Sequence, residues 1–132
     1  MYRRLFLLII ATTSLLLLSC KKEAGKGGSS ALYGKVKVRD YNTTFTVLQD
    51  EFYAQEVRVY IIYGDARGVS DDVRTSYDGS YEFKYLQPGT YHIFAYSKDS
   101  TSQTNALIPI IKTIEITKNK QELEVPEIII ID

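Results

Sequence analysis

The chain has 132 residues, which suits one domain and is too short for most large α/β barrels. Its 16 basic and 16 acidic residues cancel, so the overall charge gives no reason to expect nucleic acid as a partner. One Cys (Cys20), one His (His92) and no Trp exclude an internal disulfide and a Cys/His metal cage.

The first segment reads as an address. Arg3 and Arg4 precede an apolar run over residues 5–18. A membrane-spanning helix needs about 20 apolar residues, so this run is too short to span and fits the core of a signal peptide, predicted over residues 1–19. It ends in Leu17-Leu18-Ser19-Cys20, which resembles the lipobox of bacterial lipoproteins. That resemblance implies cleavage before Cys20, multiple acylation of its sulfur-bearing residue, and a permanent anchor in the cell envelope, at the outer membrane. Each buried CH₂ of such chains contributes about 0.8 kcal/mol, and more than one chain holds stably. Lipidation would also consume a thiol that an exported chain otherwise leaves unpaired.

Residues 20–30 carry the lipidated Cys and a Gly/Ser/Lys-rich stretch, predicted as a flexible linker reaching roughly 16–19 Å root-mean-square. Lys21, Lys22 and Glu23 partly resemble the charged signal of surface-exposed lipoproteins, and the periplasmic and surface sides both stay open. Without residues 1–19 the chain has 14 basic and 16 acidic residues, a net charge of −2. Residues 31–132 alone have 11 and 15, a net charge of −4. A basic patch on an anionic membrane is not expected from this balance.

Residues 31–132 alternate with period two and show no sustained helical period. Leu32, Gly34, Val36 and Val38 share one face of a predicted strand, with Tyr33, Lys35, Lys37 and Arg39 on the other. Loop 40–55 follows, with Phe45, Val47, Leu48 and Phe52 expected to pack back as a short strand or helix. Over 56–63, Val57, Val59, Ile61 and Tyr63 alternate with Tyr60 and Ile62. A short strand is predicted near 73–77, then a tight turn at Asp78-Gly79. Strand 80–86 leads to a second turn at Gln87-Pro88-Gly89-Thr90. Strand 91–97, a polar loop 98–105 and strands near 107–117 and 122–131 complete the set. Pro109 and Pro126 cannot donate to a ladder and predict edges or bulges. Residues 128–131, four consecutive Ile, predict a strand buried on both faces. About seven short strands in about 100 residues predict an all-β antiparallel sandwich.

The run Thr75-Ser76-Tyr77-Asp78-Gly79-Ser80-Tyr81-Glu82-Phe83, with Leu86 and Pro88-Gly89-Thr90-Tyr91, resembles the signature of carboxypeptidase regulatory-like domains. Gly34-Lys35-Val36 and Val57-Arg58-Val59-Tyr60 fit the first two strands of that pattern. The resemblance implies a transthyretin-like (prealbumin-like) sandwich, with Tyr81, Phe83, Leu86 and Tyr91 filling the core. It also implies a non-catalytic module of a larger exported system.

Chemistry is sparse. His92 points away from the predicted core, and the chain contains neither G-x-S-x-G nor a Gly-rich phosphate loop. No catalytic residue, cofactor or metal is assigned. Asp65, Asp71, Asp72 and Asp78 do not follow EF-hand spacing. Lys35 and Lys37 share the outward face, which disfavours the Lys–Asn or Lys–Asp isopeptide bond of related collagen-adhesin domains.

The sharper feature is aromatic. Tyr60, Ile62, Phe94 and Tyr96 project opposite the core residues of their strands. If the two strands are neighbours, these residues form an outward apolar patch, a candidate interaction face. The competing expectation is that Phe45 and Phe52 of loop 40–55 cover it. The sequence thus predicts a lipid-anchored, non-enzymatic binding or scaffolding module that takes an envelope protein as its partner. The alternative is a carbohydrate-binding accessory lipoprotein of a glycan-uptake system.

Overall fold

A computed structural model describes residues 23–102 and 104–132; the predicted signal peptide and Cys20 lie outside the described residues. Among the described residues there are strands and no helix. The strands are β1 (Lys26–Tyr41), β2 (Leu48–Tyr53), β3 (Arg58–Tyr63), β4 (Asp71–Arg74), β5 (Ser80–Leu86), β6 (Gly89–Lys98), β7 (Leu107–Ile116), β8 (Glu122–Glu124) and β9 (Ile128–Ile131).

They form a β-sandwich of a five-stranded and a four-stranded sheet. The 16-residue β1 is the spine of the larger sheet. Its first half lies between antiparallel β5 (Gly34↔Tyr81) and parallel β8 (Tyr33↔Glu124). Its second half lies between antiparallel β2 (Val38↔Phe52) and parallel β9 (Val38↔Ile130). The smaller sheet runs β4-β3-β6-β7, antiparallel throughout.

Period-two alternation builds the core. Leu32, Val36 and Val38 of β1 face Val59 and Ile61 of β3 and Tyr91, Ile93 and Ala95 of β6, all buried. Tyr81, Phe83 and Leu86 of β5 join them, as the resemblance implies, with Ile128 and Ile130 of β9 closing one end. Burying a side chain of this size contributes about 1.5–3 kcal/mol, so this interior dominates stability.

The Asp78-Gly79 turn sits where β2 and β5 meet along one edge of β1. Gly79 has φ +79°, and a Cβ there would lie 2.8 Å from both Tyr53 Cβ and the Val36 carbonyl oxygen. Asp78 accepts hydrogen bonds from the Ser80 hydroxyl (2.6 Å) and amide (3.1 Å). Those bonds hold its carboxyl below the usual carboxylate range.

Four sequence expectations are corrected. The flexible linker over 20–30 does not extend to residue 30, because β1 begins at Lys26 and Ala24 packs on the core. Loop 40–55 holds β2, which pairs with β1; Val47, Leu48 and Phe52 are exposed there instead of packing on the core. The predicted strand 122–131 is two strands, split at Val125-Pro126-Glu127, where proline cannot continue the ladder. The predicted strand 73–77 lies at 71–74. The count is therefore nine strands against about seven.

The Ile run forms β9 at an edge of the larger sheet. Among the described residues it pairs only with β1, and the Ile131 amide donates to the Ser97 hydroxyl of β6 at 2.8 Å. Ile128 and Ile130 are buried, whereas Ile129 and Ile131 are half-buried.

Candidate interaction face

The pairing of β3 with β6 sets Tyr60 directly across from Phe94 and Ile62 across from His92, on the outer face of the four-stranded sheet. Tyr60 and Phe94 stack with centroids 5.1 Å apart and planes 19° apart. Tyr96 meets both edge-on, at 5.6 Å from Tyr60 and 5.5 Å from Phe94. Such pairs contribute about 0.5–1.5 kcal/mol each beyond area burial. The three rings shield one another: Phe94 is only 5% exposed, while Tyr96 is 44% exposed.

β7 extends the apolar surface. Ile111 lies opposite Phe94, Pro109 opposite Tyr96 and Leu107 opposite Lys98. Ile111 and Leu107 are 52% and 61% exposed. Sequence reasoning missed these residues. The signal was available, because β6 and β7 flank one polar loop and the odd-numbered positions of β7 share the parity of this face.

The rim is polar. Arg58 pairs with Asp72 at 3.7 Å, and His92 Nδ1 lies 2.9 Å from the Thr113 hydroxyl. Lys98 pairs with Asp132 at 2.6 Å. Of the nearby acidic residues, Asp71 and Asp72 at the start of β4 bind Lys26 and Arg58, and Asp78 accepts from Ser80. No group of three His, Cys, Asp or Glu placed to hold a metal occurs among the described residues.

Phe45 and Phe52, expected as a cover for the patch, belong with β2 and its hairpin in the other sheet. They do not close the aromatic face. The outer face of the five-stranded sheet is chemically different. Lys37 lies between Glu51 (3.4 Å) and Glu127 (3.3 Å), and Arg39 binds Glu51 at 3.0 Å. The Tyr53 ring sits beneath Lys35 and Lys37, and its hydroxyl donates to Glu127 at 2.8 Å. The hydrogen bond that Lys37 donates to Glu127 raises the Lys37 pKa, and the one that Glu51 accepts from Arg39 lowers that of Glu51.

No protein-family model and no curated protein matches this chain. Among solved structures it is similar to a candidate carbohydrate binding protein from Pseudomonas aeruginosa, at 11% identity and a TM-score of 0.47. That similarity covers 83% of this chain and 92% of the other.

Proposed function

We propose that the chain is a lipid-anchored, non-enzymatic binding module of the bacterial cell envelope. Its contact surface is the outer face of the four-stranded sheet, and its partner there is a protein. One observation carries this reading: the Tyr60–Phe94–Tyr96 cluster continues into exposed Ile111 and Leu107 with no segment of the described chain over it. Aromatic residues are enriched in protein interfaces, and contiguous exposed apolar patches mark them. The opposite face of the sandwich is instead laced with ion pairs.

The anchor is Cys20, on the lipobox resemblance, and the outer membrane is its site. A carboxypeptidase regulatory-like, transthyretin-like relationship fits the buried Tyr81, Phe83, Leu86 and Tyr91 and the turns at Gly79 and Gly89. The sugar-binding alternative would need ring faces open to stack on a glycan. Here Tyr60 and Phe94 each cover one face of the other and Phe94 is buried, which leaves less open ring surface for a glycan.

The test places a photo-crosslinking residue at Tyr96 in the full-length chain in native envelopes, with Lys35 on the opposite face as the control position. A discrete protein adduct at 96 and none at 35 is expected. Adducts at neither position, together with saturable binding of a glycan by the detergent-solubilised full chain, would replace the protein partner with the glycan one. Intact mass of the purified protein reports acylation of Cys20.

A further inference from the structure

The start of the described chain is clamped. Ala24 lies against Gly89, where an added Cβ would come within 2.6 Å of the Ala24 Cβ. The Gly25 amide donates to the Tyr91 hydroxyl at 2.9 Å, and the Gln87 amide donates to the Gly25 carbonyl at 2.8 Å. Lys26 pairs with Asp71 at 2.9 Å. At Gly28 the backbone runs so close to Leu86 that a Cβ would lie 2.0 Å from its carbonyl oxygen. The Lys120 and Gln121 amides donate to the Ser29 and Ser30 hydroxyls, each at 3.0 Å.

These contacts fix where the chain enters. The entry pole comprises Ala24 and Gly25, loop 64–70, Gln87-Pro88 and loop 117–121, because β3, β5 and β7 end there and β1, β4, β6 and β8 begin there. The opposite pole carries loop 42–47 together with Ser100, Thr101 and Asn105, which enclose a cleft of about 460 Å³. The ten residues of β6 span about 30 Å between the poles.

Only Lys21, Lys22 and Glu23 separate Cys20 from clamped Ala24. Four Cα steps reach about 14 Å at full extension. That is about half the length of the sandwich, so the distal pole cannot turn down to the surface that holds Cys20. Tyr85 and Val69 are 70% and 49% exposed beside this end, and Tyr85 is held out by a left-handed backbone at φ +60°. Arg67, Lys118 and Lys120 are exposed on the same loops.

We infer that the entry pole is a membrane-contact surface, held against the lipid that carries Cys20 by a three-residue strap. The inference rests on the lipid-anchor reading above. Its occupant is the lipid surface itself, met by an amphipathic Tyr, a Val and flexible cations, side chains suited to the headgroup layer. The strands then stand upright, and the aromatic face looks sideways. Tyr96, seven residues along β6 from Gly89, sits about 23 Å above the pole, within reach of a neighbouring envelope protein.

The absence of Trp gives a clean test. Full-length lipidated protein is reconstituted into phosphatidylcholine vesicles containing a headgroup-linked quencher. Single reporters are Val69→Trp and Arg67→Trp at the entry pole and Thr43→Trp at the distal pole. Floated entry-pole variants are expected to quench about threefold more than the distal one, because the strap is shorter than the domain. Inserting about fifteen Gly/Ser residues between Glu23 and Ala24, with a reach of about 20 Å, is expected to bring the reporters within about twofold while flotation persists. Equal quenching at both poles on floated protein would overturn the strap, as would a difference that survives the insertion. Protein that neither floats nor carries an acyl mass would overturn the anchor reading, and the inference with it.

Discussion

Tyr91 is both a core residue and a clamp. Its ring is fully buried and meets Tyr63 edge-on, while its hydroxyl reaches the Gly25 amide and donates to the Gln87 carbonyl. Tyr91→Phe keeps the packing and removes the clamp. It is expected to cost about 1–2 kcal/mol in urea unfolding and to speed amide exchange at Gly25. Thr75 has a comparable role in the loop between β4 and β5. Its buried hydroxyl donates to the Ala54 carbonyl at 2.6 Å and accepts from the Val57 amide at 3.0 Å. Thr75→Val leaves both backbone groups short of a partner, and a loss of about 1–3 kcal/mol is expected in the same measurement. Thr75 was legible in the sequence only as part of a family motif, since its partners lie 18 and 21 residues away.

The Lys26–Asp71 pair gives a pH dependence with a definite sign. The hydrogen bond from Lys26 is the main cause that lowers the Asp71 pKa below its ordinary 3.8. A depressed carboxyl stabilises the fold fully above that value and loses its contribution as pH falls through the lowered one. The first residues of β1 are therefore expected to loosen below pH 3.8, read as faster amide exchange at Gly27. Asp71→Asn should remove that acid dependence. Exchange that is unchanged by the substitution would show that the pair does not hold this segment.

At the scale of elements, alternation was legible wherever one strand face is buried. Strand 80–86 and the face of 32–38 emerged from the sequence for that reason. The entry segment was not legible, because Gly and Ser composition reads as flexibility. In the fold those small residues serve close approach: Gly28 lies on a carbonyl, and Ser29 and Ser30 bond to the loop before β8. β2 was hidden for the opposite reason. Its six residues are exposed throughout, so no buried face marks it. The parallel seats of β8 and β9 beside β1 depend on long-range pairing that local pattern does not encode. β7 is an edge strand on which Leu107, Ile108 and Ile111 are exposed, tempered by Pro109 and Lys112. Such edges template further strands, and proline and lysine suppress this. Pro109→Val combined with Lys112→Val is expected to raise light scattering on incubation at 37 °C (~ a severalfold effect) without lowering the unfolding midpoint.

At the scale of the molecule, the two outer faces divide the work. One is an ion-pair lattice centred on Lys37, Glu51 and Glu127, which stays solvated. The other is apolar and aromatic and continues onto β7. Four residues of that face could be read from parity, but their mutual shielding could not. Phe94 proves to be a buried support, so its replacement would confound folding with binding. Tyr96 and Ile111 are the residues to change. The most direct measurement compares partner recovery from crosslinked native envelopes for wild type, Tyr96→Ser/Ile111→Ser and the opposite-face control Lys35→Ser, each first shown by circular dichroism to be folded. Recovery is expected to fall about tenfold or more for the aromatic-face variant and to stay at the wild-type level for the control. Equal recovery of the same partner by all three would contradict the assignment of the aromatic face as the binding surface.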